Sequence, residues 1–239
     1  MPIPLKQAIK VGTYVMRQKI KGRERYPLVL MLEPLFRCNL ECIGCGKIQK
    51  PNEILNKNLT PDQCFEAANE CGAPVVSIAG GEPLMHPQIV EIVEGLIKQK
   101  RYIYLCTNAI LLKDHLGKLP VSQFLTLSIH LDGLEEDHDR IVDQRGVFKT
   151  AIEAVRQAKS EGYRVTSATT FFEGTTIEQA EKFLDFLNPL GLDGVTLSSA
   201  FRYPDAPDQD HFFGRKRTQE FFKELLGKNE KGRWDISHS

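Results

Sequence analysis

The chain has 239 residues, enough for one domain with a substantial core, and carries 31 basic and 31 acidic side chains. That balance removes any global case for nucleic acid, and no apolar run reaches the length of a membrane span. The opening MPIPLKQAIK lacks the apolar core and cleavage site of a secretory signal, which sets the expected compartment as the cytoplasm, where clustered cysteines point to metal or catalysis instead of disulfides.

Residues 1–25 are basic, with Lys6, Lys10, Arg17, Lys19, Lys21, Arg23 and Arg25, and Glu24 is the first acid. Leu5, Ile9, Gly12, Met16 and Ile20 recur at helical spacing, flanked by Ala8 and Val15, so a basic amphipathic helix is predicted. Two placements are open for it. It docks on an anionic bilayer, or it packs on the protein body with its basic face solvated.

The alternation in LVLMLEPLF (28–36) predicts the first strand. A helix over 61–71 has Thr60 as cap, Pro61 in its first turn and Gln63 completing a capping box. VVSIA (75–79) is the second strand, followed by a helix over 87–99. YIYLCT (102–107) is the third, with a weaker helix over 112–117. FLTLSIHLD (124–132) is the fourth, followed by a helix over 147–162. YRVTSATTF (163–171) is the fifth, and a helix over 175–187 carries Thr175 and Glu178 as a second capping box. GVTLSS (194–199) is the sixth, followed by a helix over 210–226. Six β-then-α units predict an α/β fold with a parallel sheet and right-handed crossovers, either doubly wound or a partial barrel. In both, the loops at the carboxyl ends of the strands carry the chemistry. The core is expected over 26–226, and 227–239 reads as a polar tail without a closing element.

Cys38, Cys42 and Cys45 lie on the loop after the first strand. Thiolates bind zinc or iron–sulfur clusters. A structural zinc site takes four ligands and would need a remote Cys or His. Cys64 and Cys71, seven apart on a predicted helix, read as packing. Three ligands suit a [4Fe–4S] cluster with one iron left open.

Cys38-x3-Cys42-x2-Cys45 in this place resembles the signature of the radical S-adenosylmethionine (SAM) superfamily. The resemblance implies a (β/α)6 partial TIM barrel over nearly the whole chain, preceded by the amphipathic helix. It also implies a [4Fe–4S] cluster on the three cysteines and SAM on the open iron. Gly44 departs from the pattern, which usually has an aromatic residue there that packs near the adenine. Within AGGEP (79–83), Gly80, Gly81 and Glu82 are then implied to hold the amino group of SAM. In LSIHLD (127–132), alternation puts Ser128, His130 and Asp132 on one face, lining the cavity of a barrel; the resemblance gives such residues to ribose or substrate. His130 is alternatively a hydrogen-bonded core histidine. Thr107, Asn108 and Ser198 are further candidate SAM contacts, and Asn108 is alternatively a turn residue.

The run 26–48, with GGEPL, YLCTNA, HLDGLEEDHDR and APDQDHF, resembles the adenosylhopane synthase family. That implies addition of the 5′-deoxyadenosyl radical to the alkene of diploptene, forming a carbon–carbon bond. It implies an electron donor such as flavodoxin or ferredoxin, peripheral contact with the inner face of the cytoplasmic membrane, and no nucleic acid. It also implies a longer chain, with a further cysteine-bearing segment beyond Ser239. Addition leaves a tertiary carbon radical, and a thiol S–H is weaker than a tertiary C–H. Cys106, ending the third strand, is therefore the expected hydrogen donor, its alternative being a packing cysteine. Phe171, Phe172, Phe201, Tyr203, Phe212 and Phe213 are candidates for an apolar wall. A related radical SAM enzyme with another acceptor, and a zinc module, are the competing readings.

Overall fold

A computed structural model describes residues 3–202, 206–207, 209–229 and 232–237. Six strands fall where the alternation predicts them: β1 (Val29–Leu32), β2 (Val75–Ile78), β3 (Tyr102–Thr107), β4 (Leu125–His130), β5 (Arg164–Phe171) and β6 (Val195–Ser199). All neighbours pair parallel in chain order, so each crossover steps one place in the same direction and the sheet curls into a part-barrel. The helices are α1 (Leu5–Ile20), α2 (Asn52–Leu55), α3 (Pro61–Cys71), α4 (Ile89–Lys98), α5 (Leu112–His115), α6 (Glu135–Ile141), α7 (Val147–Ser160), α8 (Ile177–Leu187) and α9 (Arg215–Gly227).

The period of two divides each strand between two environments. Ile103 and Leu105 on β3, Leu127 and Ile129 on β4, and Val165 and Phe171 on β5 are buried in one apolar cluster. Ile92, Val93 and Leu96 of α4, Val155 and Ala158 of α7, and Phe183 and Leu184 of α8 complete that cluster. The intervening residues face the barrel interior and, apart from Ala168, carry polar groups. Cys106, Ser128 and Thr166 lie in register on β3, β4 and β5, with the Ser77 hydroxyl of β2 3.5 Å from the Cys106 sulfur.

Local chemistry sets the ends of the elements. Thr60 and Gln63 form the expected capping box, and Gly72 closes α3 in the left-handed conformation at φ 69°. The second box is one residue later than expected: Thr176 accepts the Gln179 N–H and Gln179 accepts the Thr176 N–H, at 3.2 and 2.9 Å. β1 stops at Leu32, short of the predicted Phe36, because Pro34 has no N–H to give a ladder and Leu35 turns to bridge Asn58. α9 starts at Arg215, later than predicted, after a 3₁₀ turn at Gln209–His211. The short helices α2 and α6 have too few apolar repeats to be read from pattern alone.

The polar tail does close. Trp234 is 3% exposed, and its indole N–H donates to Asp185 at 2.9 Å. Arg233 pairs with Glu181 at 2.9 Å and also with Asp185. Ile236–Ser237 then adds β7, parallel to β6. One large amphipathic ring anchors a segment whose other residues carry no pattern.

α1 lies across the amino ends of β3 and β4. The Gln7 amide donates to the Tyr104 hydroxyl at 3.2 Å, Lys6 donates to Gln123 at 3.1 Å, and Lys10 donates to the Lys100 carbonyl. No helix of the described residues is long and apolar enough to cross a membrane.

Replacing Trp234 with Ala is expected to destabilise the fold by about 3 kcal/mol in urea unfolding, within the range for buried aromatic truncation. A loss under about 1 kcal/mol would show that the tail rests on the surface only.

Candidate active site

The carboxyl ends of the strands surround one cavity, and Cys38, Cys42 and Cys45 all line it. Their loop is fixed by the Ile43 N–H donating to the Ile141 carbonyl at 2.8 Å and by a turn from Cys45 N–H to Cys42 carbonyl at 3.0 Å. Leu40 packs with Val142 and Val147 beneath Cys38 and Cys42. Burial pushes the Cys38 thiol up to about 11, and burial together with the other two cysteines pushes Cys42 higher still. Among the described residues no Lys or Arg lines the cavity to offset this. Bound iron would supply positive charge that favours the thiolates. Among the described residues no three His, Cys, Asp or Glu side chains close on a single-ion position. Three thiols on one cavity rim therefore fit a multi-iron cluster better than a lone zinc. Cys64 is fully buried in the core, as its helical position predicts.

The glycine turn after β2 is locked to this loop. The Gly81 N–H donates to the Leu35 carbonyl at 3.0 Å, and the Glu82 N–H donates to the Arg37 carbonyl at 2.8 Å. A Cβ on Gly80 would stand 2.2 Å from the Leu35 oxygen, and one on Gly81 would stand 1.9 Å from the Arg37 oxygen. The close approach that these glycines permit is to the cysteine loop's own backbone, while both also line the cavity. Gly80 further adopts φ +114°, which side-chain-bearing residues rarely take.

Glu82 is 1% exposed and holds the end of β3. Its Oε1 accepts the Thr107 hydroxyl at 2.7 Å and the Leu84 N–H at 3.0 Å, and Oε2 accepts the Asn108 N–H at 2.8 Å. Burial raises its pKa against the pull of these donors. Oε2, with one donor, retains capacity for a second. Asn108 is the turn residue foreseen as its alternative, and it also ties β3 to the cysteine loop. Its side-chain oxygen accepts the Ile110 N–H at 3.1 Å as a turn residue, and its amide reaches Asn39 of the cysteine loop at 2.8 Å.

On the far wall, Asp132 Oδ1 accepts the Thr170 N–H at 2.7 Å and Oδ2 pairs closely with His130 Nε2. Burial alone would lower the His130 pKa, but the adjoining Asp132 carboxylate outweighs it and holds the imidazole above its ordinary value. His138, behind the pair, is held down to about 4 by burial and by His130. Its Nδ1 accepts the Asp132 N–H at 3.2 Å, which places its ring proton on Nε2. His130 thus combines both expectations: it is hydrogen-bonded within the wall and also lines the cavity.

Thr107 and Ser198 also line the cavity, and the Ser198 hydroxyl lies 3.2 Å from that of Thr170. Ser128 does not reach it. Alternation gave its face correctly but not its depth, and it sits buried below the floor beside Cys106. Cys106 is half-buried and does line the cavity. Of the aromatic candidates, Phe172, Phe201 and Phe212 form walls. Phe171 and Phe213 turn into the core, their ring centroids 5.1 and 5.2 Å from that of Phe221. Tyr203 lies outside the described residues. Phe212 also accounts for Gly44: a Cβ there would meet its ring at 2.5 Å. The aromatic surface absent next to the third cysteine is supplied from the segment after β6. Thr170, Leu40 and Ile43 complete the lining and were not anticipated; only Thr170 carried a signal, in phase with Thr166 on β5.

A model of the Radical SAM superfamily matches residues 32–187. The GTP 3′,8-cyclase of Petrotoga mobilis is 30% identical over 156 residues, covering 62% of this chain and 48% of that protein. A Methanococcus maripaludis protein named "Probable GTP 3′,8-cyclase" is 24% identical over 221 residues, covering 88% of this chain and 73% of that one. Among solved structures, Streptococcus suis SuiB bound to S-adenosylmethionine superposes with TM-score 0.70 at 19% identity, over 95% of this chain and 53% of that one. The anSMEcpe structure with bound AdoMet gives 0.68 at 17% identity, over 88% of this chain and 61% of that one. These likenesses show the fold. The names of the matched relatives do not carry the hopane coupling that the finer sequence resemblance implied, so that reaction stands without their support.

Two outcomes are expected. Replacing Glu82 with Ala strands the Thr107, Leu84 and Asn108 donors, and at about 1–3 kcal/mol per stranded buried donor the loss should be about 3 kcal/mol or more in urea unfolding. Gln at the same position keeps acceptor oxygen and should lose less. The second concerns His130. In wild type its NMR titration should have a midpoint above 6.5, and in Asp132→Asn it should fall, because burial is then opposed only by the weaker pull of Glu82. An unchanged midpoint would show that Asp132 does not set the charge of His130.

Proposed function

The chain belongs to the radical SAM superfamily, and from that premise we propose that it couples a 5′-deoxyadenosyl group to the alkene of a large uncharged acceptor, with diploptene as the acceptor implied by the sequence resemblance. The observation that carries this reading is the chemistry of the cavity wall. Leu40, Ile43, Ala200, Phe172, Phe201 and Phe212 contribute apolar surface, and no Lys or Arg among the described residues lines it. The two carboxylates present, Glu82 and Asp132, are already bonded within the protein. Such a wall suits a hydrocarbon and leaves an anionic substrate without a partner.

Cys38, Cys42 and Cys45 would ligate a [4Fe–4S] cluster, and Gly80, Gly81, Glu82, Asn108, His130 and Ser198, which line the same cavity, would receive SAM. Bound there, the two together supply a 5′-deoxyadenosyl radical. The protein's part is placement and dryness. Phe212, lying over Gly44, provides the ring against which an adenine can stack. Oε2 of Glu82 can accept one ammonium proton, and the polar edge of His130 and Asp132 can bond a ribose.

Cys106 has the further role of quenching the product radical. Burial raises its pKa, so it stays a thiol at neutral pH, and Ser77 lies at its sulfur. Its hydrogen atom passes to the tertiary carbon, forming a C–H bond and leaving a thiyl radical. One electron from an external donor of the flavodoxin or ferredoxin kind and one proton from solvent restore the S–H.

A second reading follows the relatives' names, with a nucleoside triphosphate as acceptor. Phosphate groups are ordinarily met by Arg, Lys or helix amino ends, and the described residues that line this cavity include no Arg or Lys.

The test is an anaerobic assay with reductant, SAM and diploptene, run in parallel with GTP. The expected product has the mass of the alkene plus 5′-deoxyadenosine. Cys106→Ala is expected to lower coupling by about tenfold or more while methionine release continues, in keeping with loss of one hydrogen-transfer step. Unchanged yield and stereochemistry in that variant would remove Cys106 from the mechanism. Free 5′-deoxyadenosine with intact diploptene, together with conversion of GTP, would favour the second reading.

A further inference from the structure

The apolar face of α1 points away from the protein. Leu5, Ile9, Met16 and Ile20 are 75, 58, 64 and 82% exposed. With Gly12 they fall within an arc of about 80° at the helical 3.6-residue period. The face turned to the barrel is a mixed one, with Gln7 and Gln18 buried and Val11 and Tyr14 partly buried beside them. A helix whose only task is to cover the barrel would be turned the other way.

The surroundings of the stripe are basic. Lys6 and Arg17 border one edge and Lys19 the other, and no acid occurs before Glu24. Lys10 is held below its ordinary pKa by burial and by the charges of Arg101 and Lys100, so positive groups crowd the same end of the barrel. Val121 and Leu28, at the amino ends of β4 and β1, are exposed there too.

We propose that this base is a docking surface for an anionic phospholipid bilayer, with the α1 stripe in the headgroup boundary and Lys6, Arg17 and Lys19 against the lipid phosphates. Charge complementarity selects this occupant. A second copy of the chain meeting the stripe about a two-fold axis would bring the same basic borders together, with no acid in residues 1–23 to pair with them. A bilayer presents apolar depth and negative charge in one surface. The docking does not depend on the acceptor or on the cluster. It places the cavity on the far side of the barrel, about 20 Å from α1 along β3 at the usual rise per residue.

The experiment is sedimentation of the full chain with phosphatidylglycerol or phosphatidylcholine vesicles. Wild type is expected to partition onto phosphatidylglycerol, about tenfold more weakly onto phosphatidylcholine, and more weakly again as salt rises. Ile9→Asp/Met16→Asp should lose about tenfold or more of that binding, and Arg17→Glu/Lys19→Glu should lose the lipid preference. Both pairs are on the solvent side of α1, so thermal melts should match wild type. Absence of binding to phosphatidylglycerol would overturn the proposal, as would equal binding by Ile9→Asp/Met16→Asp. So would a wild-type dimer that the same variant dissolves, with no vesicle binding. Each readout is independent of turnover, so failure of the proposed reaction leaves this test intact.

Discussion

A buried carboxylate holds the catalytic end of this barrel together. Glu82 accepts three donors from the chain, one in its own turn and two at the end of β3. Its own N–H, with that of Gly81, binds the loop that follows β1. One residue therefore ties the ends of three adjacent strands. Parallel strands have no hairpin to fix their carboxyl ends relative to one another, so a polar knot of this kind does that work. Burying the charge is costly, as the upward push on its pKa indicates. The gain is a cysteine loop positioned by backbone contacts so close that the turn can carry only glycine.

The same site is short of positive charge. Two thiols are driven toward their neutral form by burial, and the nearby carboxylates add to the effect. In the same wall Asp132 pairs with His130 and holds its imidazole above its ordinary pKa. The cavity is thus arranged to take cationic groups and neutral surface together. That combination suits the sulfonium cofactor of the radical SAM superfamily.

Much of this was legible in the sequence because the signals were local. Strands β2 to β6 followed from alternation, and α3 followed from the Thr60–Gln63 box. Three cysteines after the first strand located the site. Other features depended on tertiary contact. Ser128 shares a face with His130, but period two does not report how deep along a strand the cavity reaches. The glycines after β2 were read as room for a ligand, whereas their first neighbour is the Leu35–Arg37 backbone. Trp234 closes the sheet with one ring amid polar residues, a contact that no periodicity encodes. The helical repeat of α1 was plain, but which face met the barrel was decided by Gln7 and Tyr104, 97 positions apart.

The position of Phe212 bears on the order in which the site can form during synthesis. All three thiols lie within the first 45 residues, and the turn and β3 end that brace them are complete by Ala109. The ring above Gly44 emerges only after β6. A nascent chain released as far as β4 therefore carries its sulfurs without the Phe212 wall. The cysteine loop and its bracing turn precede in the chain the ring that completes the lining over Gly44.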